Sequence, residues 1–512
     1  MKAEADIDFI MGENQLVFHG WPYSPPASEL PPGDPGWSLY AAAVFNDHNP
    51  WHPVMPAVTQ YITRISALLR QGQPANQVAI LLPTDDAWAS FSPGHTTVTG
   101  VMSKLLPTDL IPTILSAGYN FDFTDADTIN RLGIHHQILV IPPTDRIPTE
   151  TAKKIAAYAA TGGKVIAVGH LPRLTAEGDP LKTSTAEMAL IPDAASLSKA
   201  LPNAVSPDLK LTNADAPGRE TIGFIRRKLP TADLYFLANT SNTPLDTKIS
   251  FTTTHKYAQQ IDPDSAATLP ASASNQRVHL APYESRIFLF SDTATKPGAP
   301  HLASEMWVAA EPTRQIADLT TDWHVTFPTL NKSTAEPTLT DWTADPTTKN
   351  YSGEAVYTRD VTLSAPSKAP VYLEVEGGDP LPGAPGTEPT HVLLPNGLPD
   401  PKITRPGPGI HAYYDPPIHE AALVVINGQP AGALWHPPYR LDVSKFLKPG
   451  QNKIEIHVYN TALNAWAGIP PHDYKPLIAK YGDRFQMQDL QKVQVIPSGL
   501  LGKIHLITQE SP

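Results

Sequence analysis

Cysteine is absent from this chain of 512 residues. Its absence excludes disulfides, thiolate metal sites and cysteine nucleophiles, but it does not fix a cellular compartment. Charged residues make up only 17% of the chain, and the formal net charge is −12. Because the chain has no excess of positive charge that would attract phosphate groups, we expect neither a nucleic-acid partner nor an anionic membrane as partner.

Long apolar runs are also missing. No run approaches the ~20 residues that span a bilayer. The first residues, MKAEADIDFIMG, include acids and lack the apolar stretch of a signal peptide. The compartment therefore stays open, and if a parent protein is exported, we expect its signal to lie upstream of this sequence or to be missing.

Proline is abundant by contrast, with 56 residues. It is excluded from helix interiors and central strands, so its abundance predicts many loops, turns and edge strands. The chain is too long for a single core, and its length predicts about three or four domains.

The first 73 residues show a helix, a strand and a second helix. Apolar residues recur at helical spacing over 2–11, and a glycine follows where that helix should end. Residues 14–19 are an apolar run with β-branched and aromatic members, which predicts a strand. Helical spacing returns over 53–71. We interpret residues 1–73 as the C-terminal end of a (β/α)₈ barrel, with this strand as its last.

The predicted strand ends in three side chains that suit carbohydrate binding. His19, Trp21 and Tyr23 place an imidazole, an indole and a phenol on one rim. Active sites of (β/α)₈ barrels lie at the C-terminal ends of the strands, and aromatic faces cover the apolar faces of pyranose rings. We predict that these residues bind substrate. The alternative is structural, with the histidine and the two rings holding the proline-rich loop in place.

A second region alternates strands with helices. Continuous apolar strands with helices between them predict a parallel, doubly wound sheet, here flavodoxin/glutaminase-like, over residues 74–215. The segments that predict its strands are 78–83, 119–124, 137–142 and 164–169.

Strands dominate the rest of the chain. We predict a small β-sheet module over 216–296, a linker over 297–317 and a β-sandwich over 318–512. The sandwich carries a long Pro/Gly-rich insertion at 377–416, which is too long for a plain connector and suggests a functional or covering loop. The pair Asn427-Gly428 predicts a type I′ hairpin between two apolar strands.

Several segments together carry a family resemblance. At the N-terminal end these are GENQLVFHGWPYSPP and YITRISALLRQGQPANQVAILLP, and towards the C-terminus they are EAALVVINGQPAGALWHPPYRLDV, YNTALNAWAG, YGDRFQMQDL and PSGLLGKIHL. They resemble the C-terminal half of glycoside hydrolase family 106, the α-L-rhamnosidases. The resemblance implies a hydrolase of terminal α-L-rhamnosyl linkages in polysaccharides or glycosides. It also implies a galactose-binding-like jelly-roll for the sandwich.

The resemblance carries further expectations about chemistry. Family members are expected to invert configuration with two carboxylates set apart by a water, and to bind calcium in the rhamnose pocket. Those carboxylates are expected on earlier barrel strands, so the catalytic residues of this chain stay unassigned, as do any calcium ligands. A rhamnose-containing carbohydrate is the implied partner, the parent enzyme is expected to be exported, and an oligomer remains open.

Glu4 is the one candidate for a catalytic acid or base within the chain. If Glu4 lay at the end of a strand, it could act in proton transfer. The favoured alternative is that Glu4 and Asp8 share the solvent face of the first helix, because they are four residues apart.

Other chemistry-bearing residues favour structural interpretations. Asp85 and Asp86 follow the first strand of the parallel sheet, where such sheets bind ligands, but no glycine-rich phosphate loop accompanies them. His135 and His136 are adjacent and would point apart in a strand, which favours a surface position over a metal pair. The WHPPYR unit, with Trp435, Tyr439 and Arg440, favours packing over a sugar site.

Two other functions remain open. The chain could be a non-catalytic carbohydrate-binding or scaffold protein, or a gene fragment that folds around its sandwich. A nucleotide-binding enzyme built on the parallel sheet is a third possibility, but its phosphate-binding fingerprint is absent.

Overall fold

The computed structural model describes residues 1–21, 25–29, 45–94, 96–211, 221–293, 313–364, 369–381, 412–470, 475–482 and 493–509. Within these ranges the chain builds two N-terminal helices, one parallel sheet with flanking helices and several antiparallel sheets. Short 3₁₀ turns occur at Ala27–Glu29, His52–Val54, Pro328–Leu330, Trp342–Ala344 and Ser444–Phe446.

The two predicted N-terminal helices are confirmed. They are α1 (Lys2–Ile10) and α2 (Met55–Leu69), and a two-residue strand, β1 (Gln73–Pro74), follows them. Apolar residues at helical spacing bury one face of each helix, because that face packs on a sheet formed later in the chain. The assignment of these helices to the end of a barrel stays a prediction.

The predicted strand at 14–19 is wrong, because the structure has no regular element there. A strand needs a neighbour that takes its backbone hydrogen bonds, and no described residue pairs with this segment as a strand. Val17 is 87% exposed and Trp21 is 63% exposed, so the segment lies at the surface. Directly after this segment, the Gly20 carbonyl accepts a hydrogen bond of 3.2 Å from the Phe45 amide.

A parallel sheet with helices forms the next unit, as the sequence predicts. Its elements are β2 (Val78–Leu81), α3 (Thr84–Ala89), α4 (Val98–Leu105), α5 (Leu110–Ser116), β3 (Phe121–Thr124), α6 (Ala126–Leu132), β4 (Ile138–Ile141), α7 (Thr149–Ala160), β5 (Lys164–Val168), β6 (Ala189–Ile191) and α8 (Leu197–Ala204).

The strand order of this sheet is β3-β2-β4-β5-β6, and its pairs are parallel. Numbered within the sheet, this is the order 2-1-3-4-5 of flavodoxin-like doubly wound sheets. Strands β2 and β4 are buried along their whole length, since one apolar core lies on each face. The switch point therefore lies between these two strands, at their carboxyl ends.

Two antiparallel sheets make up the next unit. Its strands are β7 (Leu209–Leu211), β8 (Ile222–Leu229), β9 (Ala232–Asn239), β10 (Leu245–Phe251), β11 (Tyr257–Ile261), β12 (Thr268–Pro270), β13 (Gln276–Leu280) and β14 (Ser285–Ser291).

These strands form a sheet in the order β1-β8-β9-β14-β11-β12 and a smaller one in the order β13-β10-β7. One face of the larger sheet packs on the smaller sheet, and its other face packs on α1 and α2. Strands β1 and β7 come from outside the range predicted for the module, residues 216–296. The domain boundaries as a set stay predictions.

The C-terminal region is also antiparallel. Its elements are β15 (Thr313–Asp318), β16 (Thr321–Phe327), β17 (Lys332–Thr338), β18 (Glu354–Leu363), β19 (Val371–Glu376), β20 (Asp379–Pro380), β21 (Tyr414–Asp415), β22 (Ile418–His419), β23 (Ala421–Ile426), β24 (Gln429–Leu434), β25 (Arg440–Asp442), β26 (Gly450–Tyr459), α9 (Leu463–Gly468), α10 (Lys475–Tyr481), β27 (Gly499–Leu500) and β28 (Lys503–Gln509).

Its two main sheets have the orders β15-β28-β19-β25 and β17-β16-β18-β26-β23-β24, and they enclose one apolar core. The hairpin between β23 and β24 turns at Asn427 and Gly428, whose φ angles are 52° and 76°. Both values are positive, as a type I′ turn requires, which confirms that prediction. The galactose-binding-like topology stays a prediction, and residues 382–411 of the predicted insertion lie outside the described residues.

No helix in the described ranges is both long enough and apolar enough to cross a membrane.

Candidate functional site

Residues 18–21 and 45–52, which lie between α1 and α2 in the chain, present a group of aromatic rings. The Trp21 indole meets the His52 ring edge-to-face at 5.5 Å between ring centroids, and Phe18 meets Phe45 in the same way at 5.2 Å. Phe45 in turn lies 6.3 Å from Trp51. We call these five residues the aromatic cluster. Edge-to-face rings leave indole faces available, which suits contact with the apolar face of a sugar.

Two of the three predicted substrate residues can be placed beside this cluster. Trp21 belongs to it, and the exposed His19 lies between Phe18 and Trp21 in the chain. Tyr23 lies outside the described residues. The backbone hydrogen bond between Phe45 and Gly20 connects the two segments that carry these rings, and the 3₁₀ turn His52–Val54, which precedes α2, positions His52. The predicted role of these residues in substrate binding stays a prediction.

A cavity of about 510 Å³ lies next to the aromatic cluster and shares Trp51 with it. Its walls come from the start of α1, the turn before α2, the loop at Tyr283 and the C-terminal sheets. The C-terminal sheets and their loops supply the polar groups, among them His419 and Glu420. We call this space the Glu420 cavity.

The polar groups of the Glu420 cavity have shifted acidities. Burial raises the pKa of the Glu420 carboxyl; the Met1 ammonium acts to lower it, and the nearby Asp415 carboxylate adds to the increase. Burial lowers the pKa of the His419 imidazole, although the Asp415 carboxylate acts to raise it. Oδ1 of Asp415 lies 3.7 Å from Nε2 of His419. Burial also raises the pKa of the Tyr439 hydroxyl well above its usual value. Burial thus disfavours the charged forms of all three groups.

A buried ion pair supports one wall of this cavity. The Lys2 ammonium donates to Oδ2 of Asp6 at 2.6 Å, to the Tyr283 carbonyl at 2.8 Å and to Oγ of Ser285 at 3.0 Å. The Tyr61 hydroxyl donates to the other oxygen of Asp6. Burial raises the pKa of Asp6, although Lys2 and Tyr61 both act to lower it. All of these groups are satisfied internally, so we assign them to structure.

Glu4 lies within α1 and not at the end of a strand. The condition under which it could serve as a catalytic acid or base is therefore not met. Its side chain is 45% exposed and lies 3.7 Å from the ammonium of Met1. Asp8 has a raised pKa, because it is partly buried and lies near Glu13 and Glu4.

Asp86 occupies the switch point of the parallel sheet. Its Oδ2 atom accepts from the Asp145 amide at 2.7 Å and from the Arg146 amide at 3.2 Å, and the Arg146 guanidinium donates to Oδ1 at 3.2 Å. The carboxylate thus joins the loops that follow β2 and β4. Asp85 next to it has a raised pKa through burial and through the charge of Asp86. These contacts favour a structural role for the pair.

The histidine pair does not come together on a metal. Nε2 of His136 lies within hydrogen-bonding distance of Oδ2 of Asp122, at 2.8 Å, and its neighbour His135 is exposed. Across the described ranges, no group of three or more histidine, aspartate or glutamate side chains could hold a metal ion. The described carboxylate and histidine side chains therefore do not fit the calcium ion that the family resemblance implies. The chemistry proposed below does not depend on a calcium ion.

The WHPPYR unit divides between two roles. Trp435 and Tyr439 line the Glu420 cavity. Arg440 instead pairs with Glu374 on the neighbouring strand. Tyr439 is also buried in the core of the C-terminal sheets and Trp435 packs against Tyr61, so all three residues make packing contacts, as the sequence interpretation has it. Glu420 and His419 were not singled out from the sequence, since no motif marks them and only the fold brings them to Trp51.

Comparisons with known proteins bear on this region. A family model described as alpha-L-rhamnosidase, glycoside hydrolase family 106, matches residues 1–273. The solved structure of a rhamnosidase from Novosphingobium sp. PP1Y is similar in fold, with a TM-score of 0.65 and 20% identity over 99% of this chain and 45% of that chain. A curated protein of Formosa agariphila named "Putative beta-glucuronidase" is 25% identical over 281 residues, or 51% of this chain and 22% of that protein. The chain thus spans less than half the length of either relative.

Proposed function

This chain belongs to glycoside hydrolase family 106, the alpha-L-rhamnosidase family, and on that premise we propose that it is the C-terminal portion of an enzyme that hydrolyses terminal α-L-rhamnosyl linkages. The substrates would be polysaccharides or glycosides that contain rhamnose. The observation that carries the proposal is the family match over residues 1–273, because this range includes the aromatic cluster.

The aromatic cluster would bind and orient the sugar. The Trp21 indole is 63% exposed and is held by its perpendicular contact with the His52 ring, so it can cover an apolar sugar face without rearranging. His19 is exposed beside it and can exchange a hydrogen bond with a sugar hydroxyl. These contacts would hold the glycosidic bond in position and would shield one face of the ring from water.

Hydrolysis with inversion requires a carboxylic acid and a carboxylate on opposite sides of the bond, with room for a water between them. Glu4, the candidate that the sequence suggested, lies on a helix and not at the end of a strand. We therefore propose that the acid and the base belong to a part of the parent enzyme outside these 512 residues. The parallel sheet and the C-terminal sheets would then support and cover the catalytic unit.

Activity measurements on two proteins test the proposal. One is the full product of the gene that contains this chain, and the other is the chain of residues 1–512 alone. With 4-nitrophenyl α-L-rhamnopyranoside as substrate, we expect turnover by the full product and none by residues 1–512. Turnover by residues 1–512 at the rate of the full product would place the catalytic carboxylates within this chain. If residues 1–512 are the full product and are inactive, the carbohydrate-binding or scaffold function is the correct one.

A further inference from the structure

The Glu420 cavity holds polar groups that have no partner within the protein. Among the residues that the structure describes, no hydrogen bond reaches the Glu420 carboxyl, the Tyr439 hydroxyl or the His419 ring. The closest charged group to His419 is Asp415, at 3.7 Å, which is too far for a hydrogen bond. His419 and Tyr439 are buried and Glu420 is half-buried. Buried polar groups are normally satisfied, so these three groups are placed to bond with water or with a ligand.

The cavity also has aromatic walls. Trp51 and Trp435 both line it, and both are half-buried. The Trp435 ring is fixed by edge-to-face contacts with Tyr61 at 5.7 Å and with His436 at 4.4 Å between centroids. Rigid indoles beside unpaired hydrogen-bonding groups match the mixed surface of a sugar, which has apolar C–H faces and a rim of hydroxyls. The volume of about 510 Å³ lies within the range of small-molecule sites.

The charges around the cavity select among sugars. Glu420 and Asp415 are acidic, whereas the Lys2 ammonium is already engaged by Asp6, by Ser285 and by a backbone carbonyl. The Met1 ammonium also lines the cavity and acts to lower the pKa of Glu420, and it lies 3.7 Å from the Glu4 carboxylate. A uronate would bring a further carboxylate towards Asp415 and Glu420, while the two ammonium groups near them, those of Met1 and Lys2, already lie against carboxylates. A neutral sugar, by contrast, can donate its hydroxyls to these carboxyl oxygens and accept from the Tyr439 hydroxyl.

We propose that the Glu420 cavity is a binding site for a neutral saccharide unit, in which Glu420 and Tyr439 hydrogen-bond the hydroxyls and Trp51 and Trp435 cover the ring. The site is separate from the segment at His19 and Trp21, although Trp51 both lines the Glu420 cavity and belongs to the aromatic cluster. The proposal concerns binding alone, so it stands whether or not the parent enzyme hydrolyses rhamnosides.

Calorimetric titration of residues 1–512 tests this site. The probes are methyl α-L-rhamnopyranoside, methyl β-D-galactopyranoside and sodium D-glucuronate. We expect saturable binding of at least one neutral glycoside and weaker binding of glucuronate. Absence of binding by both neutral glycosides, or tighter binding of glucuronate, would overturn the proposal.

Variants then locate the bound sugar. Tyr439→Phe keeps the ring and removes only the hydroxyl, and Glu420→Gln keeps the shape and removes the charge. We expect each to weaken binding about fivefold or more. Trp88→Ala, at an exposed tryptophan of α3, is the matched control and should bind as the unaltered chain does.

The opposite pattern would overturn the assignment. Binding that survives both cavity variants, or that is lost in Trp21→Ala alone, would place the sugar outside the Glu420 cavity. The unfolding midpoint of each variant shows whether it remains folded. Because Tyr439→Phe and Glu420→Gln alter different groups, one of them still tests the site if the other destabilises the chain.

Discussion

The hydroxyl oxygen of Tyr61 lies 2.7 Å from Oγ of Ser285, and this contact joins α2 to strand β14. The same hydroxyl donates to Asp6 on α1, so a single phenol connects both N-terminal helices to the antiparallel sheet. The helices that precede the parallel sheet are therefore part of the same core as the strands that follow it.

Tyr61→Phe should destabilise the chain. The change removes a hydrogen bond to a buried carboxylate and the contact with Ser285, and we expect a loss of about 1–3 kcal/mol in the free energy of unfolding. Urea unfolding measures this loss. Tyr257→Phe, at a tyrosine that is 47% exposed, is the control and should change stability by less than about 0.5 kcal/mol. Equal effects of the two changes would contradict the assigned role of Tyr61.

Asp208 should give the chain a specific dependence on pH. Its buried Oδ1 atom accepts from Gln77 at 2.9 Å and from Arg226 at 2.8 Å, while Oδ2 has no partner among the described residues. Burial raises its pKa from 3.8 to about 6, against the effect of Arg226. The folded chain therefore holds this proton more tightly than the unfolded chain.

The sign of the effect follows from that difference. The stabilising contribution of Asp208 is complete below pH 3.8 and is lost as the pH rises through about 6. Asp208→Asn cannot titrate, so the stability of the unaltered chain relative to this variant should decrease between pH 4 and pH 7. Urea midpoints across that range measure it, and a constant difference would show that Asp208 does not hold a raised pKa.

Asp86 should matter more to stability than an exposed ion pair does. Asp86→Ala leaves two backbone amides and Arg146 without their acceptor, and we expect a loss of about 3 kcal/mol. Asp127→Ala breaks the exposed pair with Arg131 and should cost less than about 1 kcal/mol. Thermal and urea unfolding compare the two. Similar losses would argue that Asp86 does not join the loops at the switch point.

Trp21 should contribute to substrate binding in the full gene product. Trp21→Ala removes an exposed indole, and we expect about a tenfold decrease in kcat/KM for an aryl α-L-rhamnoside. Trp21→Phe should retain part of the activity, because a ring remains. Trp88→Ala alters another exposed tryptophan and serves as the control. An unchanged kcat/KM in Trp21→Ala would remove Trp21 from the substrate site.

The parallel sheet was predictable from sequence because its signals are local. Strands β2 and β4 are continuous apolar runs, and such runs alternating with helices have one common solution in a doubly wound sheet. The type I′ turn at Asn427 and Gly428 was predictable for the same reason, since two adjacent residues decide it.

The segment 14–19 shows where local sequence stops being sufficient. Its composition favours a strand, but a strand forms only where another strand accepts its hydrogen bonds, and no described strand does so. The Glu420 cavity escaped prediction for a related reason. Trp51, Tyr283 and Glu420 are far apart in the chain, and only the packing of three units places them around one space.

The most direct test compares two substrates of the full gene product, 4-nitrophenyl α-L-rhamnopyranoside and 4-nitrophenyl β-D-glucuronide. The account predicts release of nitrophenol from the rhamnoside alone, with the β-anomer of rhamnose appearing first in the proton NMR spectrum, because two carboxylates act on opposite faces. Hydrolysis of the glucuronide without hydrolysis of the rhamnoside would contradict the account.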